Sequence, residues 1–290
     1  MTKTIYMPAL GNMGAALARQ LTANGLRVTS TLDGRSADTR KRAAEAGVEN
    51  LPAASMMQAD IVLSVAPPEH AVSIARQFSA LGRPSGRLVY ADMNAVSPDT
   101  ARQIGTIVTN AGAEFVDGGI IGLPPSPGKR PPVLYVAGPE AGNLLDLNAH
   151  GLQVALLDGP IGAASALKLS YAGITKGLIA MAAAMMLTAS RSGVAPALAV
   201  ELKHSQPQLM DSFSRSVPDM MPKAARWVSE MKEIAAFAGD GFSINRIYDA
   251  LAGFYRAVGR DYADGGEGSE ALRSFLTLAA DQTSEQDTRS

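Results

Sequence analysis

Two patterns divide the chain. Up to about residue 160, short apolar runs alternate with segments whose apolar residues return at helical spacing. The runs fall at 4–7, 26–29, 60–65, 87–92, 114–117 and 133–137. Between them the spacing predicts helices over 15–24, 40–46, 70–81 and 98–110. Breakers agree with the pattern. Gly25 and Gly47 stop the first two helices, Pro67-Pro68 closes the strand at 60–65, and Ser97-Pro98-Asp99 caps the helix at 98–110. Such alternation implies a largely parallel sheet covered on both faces. The segment 123–132 carries five prolines with Lys129 and Arg130 and reads as a stiff loop.

Near residue 160 the pattern changes. Gly159-Pro160-Ile161-Gly162 breaks the chain, and 163–192 contains no proline and is dominated by Ala, Leu and Met. That run predicts one long, buried helix ended by Gly193. Its small residues suit close helix–helix packing, so it is a candidate dimer core. More helices are expected over 195–204, 206–214, 221–238, 244–259 and 270–280, then a polar, disordered tail from about 282.

Composition narrows the classes. A hydrophobic content of 47% with 18% charged residues describes a globular protein with a generous core, and 290 residues suffice for two ordinary domains. The net charge of −1 offers nothing to nucleic acid or an anionic membrane. Without cysteine there is no disulfide, thiolate catalyst or cysteine–zinc site. His70, His150 and His204 lack metal-ligand spacing, so no metal is expected. The N-terminus has no signal-peptide pattern, and the apolar run 178–189 is too short and Ala-rich to span a bilayer. A cytoplasmic enzyme with a small-molecule substrate is the expectation.

The most specific chemistry lies at the start. Strand 4–7 runs into Pro8-Ala9-Leu10-Gly11-Asn12-Met13-Gly14, a helix follows, and a second strand begins at Leu26. This is the first βαβ unit of a dinucleotide-binding Rossmann domain. Gly11 lets the backbone approach a pyrophosphate, Gly14 lets the helix pack close to the strand, and the helix N-terminus offers free N–H groups to phosphate. Ala9 departs from the G-x-G-x-x-G pattern at its first glycine. At the end of the second strand Asp33 argues for NAD, whereas Arg35, Ser36 and Arg40 suit the 2′-phosphate of NADP. Three phosphate partners outweigh one carboxylate, so NADP is expected, with NAD as the alternative.

Further motifs follow in order: Leu63-Ser64-Val65-Ala66-Pro67, Asp92-Met93-Asn94-Ala95-Val96-Ser97-Pro98, Val116-Asp117-Gly118-Gly119-Ile120-Ile121-Gly122, Gly162-Ala163-Ala164-Ser165-Ala166-Leu167-Lys168 and Met231-Lys232-Glu233-Ile234. Together with the glycine turn they resemble the β-hydroxyacid dehydrogenases, which are related to 6-phosphogluconate dehydrogenase and to imine reductases. The wording around Gly34-Arg35-Ser36 and 163–177 is most similar to a branch with a phosphogluconate-dehydrogenase-like C-terminal domain. The resemblance implies a nicotinamide cofactor held by Leu10, Gly11, Asn12, Met13, Ala66, Pro67 and Asn94. It implies a substrate loop at Gly118, Gly119, Ile120, Ile121 and Gly122, and a general acid/base at Lys168. A lysine in the first turns of an apolar helix can face a cleft and be desolvated toward catalytic range.

Two positions depart from the family. Its usual Asn four residues after the lysine is Ala172, with Tyr171 and Thr175 nearby as substitute donors on the same helix face. Its usual loop serine is Ile121, which cannot hydrogen-bond an anion; the amides of Gly118, Gly119 and Gly122 still can. Lys232 is either a substrate or cofactor partner or a solvated member of a charge cluster.

The reading is therefore an α/β protein with an N-terminal Rossmann domain over 1–160 and an all-α domain over 161–290. It implies an NADP-dependent oxidoreductase of a hydroxy acid or its keto or semialdehyde partner, working as a homodimer. The alternatives are an imine reductase and a non-catalytic NADP-binding sensor.

Overall fold

The computed structural model describes residues 3–126 and 128–286, and the side chains of 279–286 are left undescribed. The chain divides into two compact units, Met1–Tyr171 and Ala172–Ser290. The first is the Rossmann unit. Its strands are β1 (Thr4–Tyr6), β2 (Arg27–Ser30), β3 (Glu49–Asn50), β4 (Ile61–Ser64), β5 (Val89–Asp92), β6 (Glu114–Ile121), β7 (Val133–Ala137) and β8 (Gln153–Leu156). They form one sheet in the order β3-β2-β1-β4-β5-β6-β7-β8, parallel throughout except for the antiparallel β6–β7 pair. The connecting helices are α1 (Asn12–Ala23), α2 (Ala37–Glu45), α3 (Pro68–Ala80) and α4 (Pro98–Asn110).

Each strand turns alternate residues to opposite faces. One face carries Ile5, Val28, Leu63, Ala91 and Val116 into a core with Leu17, Leu21 and Ala43 of α1 and α2. The other carries Tyr6, Val62, Tyr90 and Phe115 into a core with Ile74, Phe78 and Ile104 of α3 and α4. The sheet is thus covered on both sides, as expected of parallel strands. Ser97 starts α4 as expected: its Oγ accepts from the Thr100 amide at 3.2 Å, and Pro98 occupies the first turn.

Differences from the pattern are informative. The strand expected over 114–117 continues to Ile121, and Ile120 sits in the core. The expected substrate loop is therefore mostly sheet. β3 and β8 are edge additions, one of two residues and one of four, too weakly patterned to read. The proline-rich connection after Gly122 contains no helix or strand among its described residues, and Pro127 lies outside them.

α5 (Ala163–Arg191) begins in the Rossmann unit and continues into the helical one. That unit then holds α6 (Ala195–Ser205), α7 (Pro207–Met220), α8 (Ala224–Ala238), α9 (Ile244–Ala263) and α10 (Glu267–Gln286). The tail expected from 282 stays helical to Gln286, and 287–290 fall outside the described residues. The core gathers Val217, Trp227, Met231, Tyr255 and Phe275. α5 departs from its expectation in two ways. It is not wholly buried: Ile174, Leu178, Met181 and Met185 stay exposed at helical spacing. It is also long and apolar enough, by length and composition alone, to cross a membrane, because the helix extends well beyond the run 178–189.

Candidate active site

The β1–α1 turn forms one wall of a cavity of about 290 Å³, lined by Ala9, Leu10, Gly11, Arg35, Thr39, Ala66, Pro67 and residues of α3. Gly11 is the N-cap of α1 at φ −68°, with no side chain capping the helix, so the first N–H groups are left for a ligand. A Cβ at Gly11 would meet no protein atom within 4 Å. No protein contact therefore demands glycine there, and the backbone is open to a close-lying ligand. Gly14 differs, because a Cβ there would stand 2.8 Å from the Ala9 carbonyl. It lets α1 cross β1 closely, as the spacing predicts. Asn12 opens α1 and Met13 packs on the core beneath the turn.

Arginines gather round this turn. Arg35 donates from Nη2 to the Pro8 carbonyl at 2.9 Å, using one of its five donors. Arg42, which no motif singled out, donates from Nε to the Leu10 carbonyl at 3.2 Å and from Nη2 to Thr39 Oγ1 at 3.0 Å. Ser36 is occupied as N-cap of α2, accepting from the Thr39 amide at 3.3 Å, and Arg40 bonds the Arg35 carbonyl. Of the predicted phosphate partners only Arg35 lines the cavity; Asp33 is exposed and does not. His70, Ser73, Ile74 and Gln77 of α3 complete the lining. Only the fold brings them there. The residues present fit a dinucleotide: an uncapped helix start, open space at Gly11 and guanidinium charge beside it.

Asn94 has a supporting place. Its side chain is 1% exposed and accepts from the Ala66 amide at 2.6 Å, while its Nδ2 donates to Ser64 Oγ at 3.0 Å and to Asp92. It fixes the turn that presents Ala66 and Pro67, and does not itself line the cavity.

The predicted substrate segment and the predicted lysine do meet. A Cβ on Gly119 would lie 2.7 Å from Lys168 Cβ and 3.0 Å from the Ala164 carbonyl. The second turn of α5 is thus pressed onto β6, with the half-buried lysine stem over Gly119. Gly118 is filled on its own side, where a Cβ would collide with Met93. Gly122 turns the chain out of β6 at φ +131°.

Asp117 ties the two elements together, a role that no local pattern displayed. One oxygen accepts from the amides of Gly162 and Ala164, both at 2.9 Å, and Ser165 at 3.2 Å; the other accepts from Ser165 Oγ at 2.6 Å. Burial raises its affinity for a proton, and these bonds oppose the rise. Next to it, burial and then the charge of Asp117 push Asp92 up to about 7.

Farther along α5 the expected partners of Lys168 are mixed. Ala172, where the resemblance expects Asn, is 2% exposed, Tyr171 is 48% exposed, and Thr175 Oγ1 donates to the Ala172 carbonyl at 3.4 Å. Lys232 is exposed on α8. In the same unit Lys176 pairs with Glu230, lies 4.7 Å over the Trp227 ring, and its carbonyl accepts from the Tyr255 hydroxyl. Among the described residues no cluster of potential metal ligands occurs.

Comparison with known proteins agrees with this geometry. Residues 5–141 match the NAD binding domain of 6-phosphogluconate dehydrogenase, and 189–258 match a domain of unknown function (DUF1932). An uncharacterized 28.5 kDa protein of the 7S RNA 5′ region of Methanothermus fervidus is 26% identical over 230 residues, 78% of this chain and 87% of that one. The solved structure of MTH1747, a conserved protein of unknown function with structural similarity to 3-hydroxyacid dehydrogenases, is 26% identical at a TM-score of 0.66, covering 88% of this chain and 99% of that one. Mycobacterium tuberculosis 3-hydroxyisobutyrate dehydrogenase shares the fold at 18% identity and a TM-score of 0.72, over 94% of this chain and 99% of that one. Residues 5–141 are thus homologous to the NAD binding domain of 6-phosphogluconate dehydrogenase, and the chain has the 3-hydroxyacid dehydrogenase fold.

Proposed function

We propose that the protein is an NADP-dependent oxidoreductase that moves hydride between nicotinamide and a hydroxy acid or its keto or semialdehyde partner, with Lys168 as the general acid/base. The observation that carries this reading is the packing of Lys168 on Gly119, which joins the lysine of α5 to the segment where the resemblance puts the substrate. Leu10, Gly11, Asn12 and Met13 hold the pyrophosphate, and Ala66 and Pro67 line the opposite wall. Arg35 takes the 2′-phosphate: it lines the cavity and Asp33 does not. When bound, the cofactor supplies the hydride donor or acceptor. Lys168 gives a proton to the substrate oxygen during reduction, or removes it during oxidation. Tyr171 or Thr175 supplies the donor in place of the missing Asn.

Lys168→Met keeps the apolar stem and deletes the ammonium. It should lower turnover at least about 100-fold and leave NADPH binding intact. Hydroxy acids, aldehydes and cyclic imines, each assayed with both cofactors, provide the substrates. Near-normal turnover in this variant with a large loss in Tyr171→Phe would move the proton transfer to Tyr171. Activity on imines alone would favour an imine reductase, a reading supported by apolar Ile121 and by Ala172, neither of which can hold a carboxylate. Cofactor binding without any turnover would indicate a sensor.

The exposed apolar face of α5 is assigned to a second copy of the chain. Ile174, Leu178, Met181 and Met185 form an exposed apolar stripe at helical spacing, the kind of patch that marks an interaction surface. A membrane is a poorer occupant, because every 18-residue window of this helix includes Lys176, already paired with Glu230 inside the bundle. Sedimentation at micromolar concentration should show a dimer or a larger even oligomer. A monomer would overturn this assignment.

A further inference from the structure

Asp92, the last residue of β5, and Asp117, midway along β6, stand side by side in register across the parallel pair, each 1% exposed. Neither lines the dinucleotide cavity. Two carboxyl groups buried together do not both ionise at low cost, and the surroundings favour the charge on Asp117. Asp117 accepts four hydrogen bonds, three of them from the amides of Gly162, just before α5, and of Ala164 and Ser165 in its first turn. Its negative charge also faces the positive end of a 29-residue helix dipole. Asp92 accepts from the side chain and amide of Asn94 and from Ser64, yet burial and then the charge of Asp117 push it up to about 7. Tyr90, two residues earlier on β5, is held neutral by burial and by Asp92, and Arg102 of α4 reaches toward Gly162 while paired with Asp99.

Asp117 and Gly119 are two residues apart on one strand, so both face α5. The first seizes the start of the helix, and the second leaves room for Lys168. We propose that Asp117 is a positioning residue for Lys168: by holding the amides of Gly162, Ala164 and Ser165 from β6, it sets the rotation and height of the helix that carries the lysine. This rests on the proposed acid/base role of Lys168. Gly162 belongs to the same device. Its φ of +103° is open to glycine and strained for other residues, and a Cβ there would strike Arg102 and Pro98.

The test reads Lys168 directly. The full-length protein is acylated with limiting N-hydroxysuccinimide acetate across the alkaline range, and mass spectrometry reports labelling of Lys168 relative to exposed Lys41. Asp117→Ala should change the relative rate at Lys168 about fivefold or more, the effect expected when a helix cap is lost, and should shift its pH midpoint. Asp117→Asn can still accept the three amides and donate to Ser165, so it should fall between wild type and Asp117→Ala. Turnover should follow the same order through kcat, with cofactor affinity unchanged. A folded Asp117→Ala with wild-type labelling and midpoint at Lys168 overturns the proposal. So does a change shared equally by all lysines, which marks a general loss of stability. If Asp117→Ala does not fold, Ser165→Ala, which removes one of the four bonds, is read in the same way. Labelling that responds as expected in a protein without any turnover leaves the positioning in place and defeats the proposed function instead.

Discussion

Two glycine-bearing segments of the Rossmann unit look alike in sequence and differ in cause. In the β1–α1 turn, a side chain at Gly11 would project into open space beside a cavity. In β6, a side chain at Gly118 would collide with Met93, and one at Gly119 with Lys168 and Ala164. Gly11 leaves open space beside the cavity at an uncapped helix start, where a ligand can approach the backbone, whereas Gly118 and Gly119 are required by packing. The two segments should therefore fail differently when altered, one in binding and the other in stability and turnover together.

The largest effect is expected in β6. Gly119→Val has to push α5 off the strand and should cost roughly 3 kcal/mol, the upper end for overpacking a filled site. Thermal unfolding should register the loss, and turnover should fall with it because Lys168 moves. Normal stability in this variant would mean that α5 does not rest on β6.

The buried carboxyl pair should respond next. Asp92 is raised far above its unfolded value of 3.8, so the folded protein holds a proton that the unfolded chain releases. Its contribution is favourable below the unfolded value and is lost as pH rises toward about 7, beyond which the loss is complete. Asp92→Asn mimics the protonated form at every pH. It should gain on the order of 2 kcal/mol over wild type between mildly acidic and mildly alkaline solution. Denaturant titrations at both ends measure this, and a gap independent of pH would show that Asp92 ionises freely.

The glycine turn should give a smaller effect of another kind. Gly11→Ala fits the backbone at φ −68° and should unfold like wild type, yet bind dinucleotide about tenfold more weakly, near 1.4 kcal/mol. Arg35→Ala should weaken NADPH by a similar factor and leave NADH almost unchanged. Fluorescence titration separates the two cofactors. Equal losses for both in Arg35→Ala would reduce Arg35 to a support of the Pro8 carbonyl.

Much of this was legible along the chain. The alternation of apolar runs and helical spacing gives the strands and helices of the Rossmann unit, because burial on a regular element repeats at a fixed period. The glycine turn and the long helix that carries Lys168 were legible because each is a pattern within neighbouring residues. Other features were not. Asp117 and Ser165 are 48 residues apart, and nothing near either announces their bond. Arg42, His70 and Gln77 carry no motif and reach the dinucleotide turn only through the packing of α2 and α3. The continuation of β6 through Ile121 followed from its pairing with β7, which overrode the glycines.

The sequence by itself thus determined the order of elements, the glycine turn, and the lysine near the start of the long helix. Tertiary structure decided which glycines border open space and which press on a neighbour, that two aspartates are buried side by side, and how the lysine is held over β6. The physical reason is range. Periodicity and turn chemistry act between residues near in sequence, whereas burial, charge and close approach depend on atoms that only the folded chain brings together.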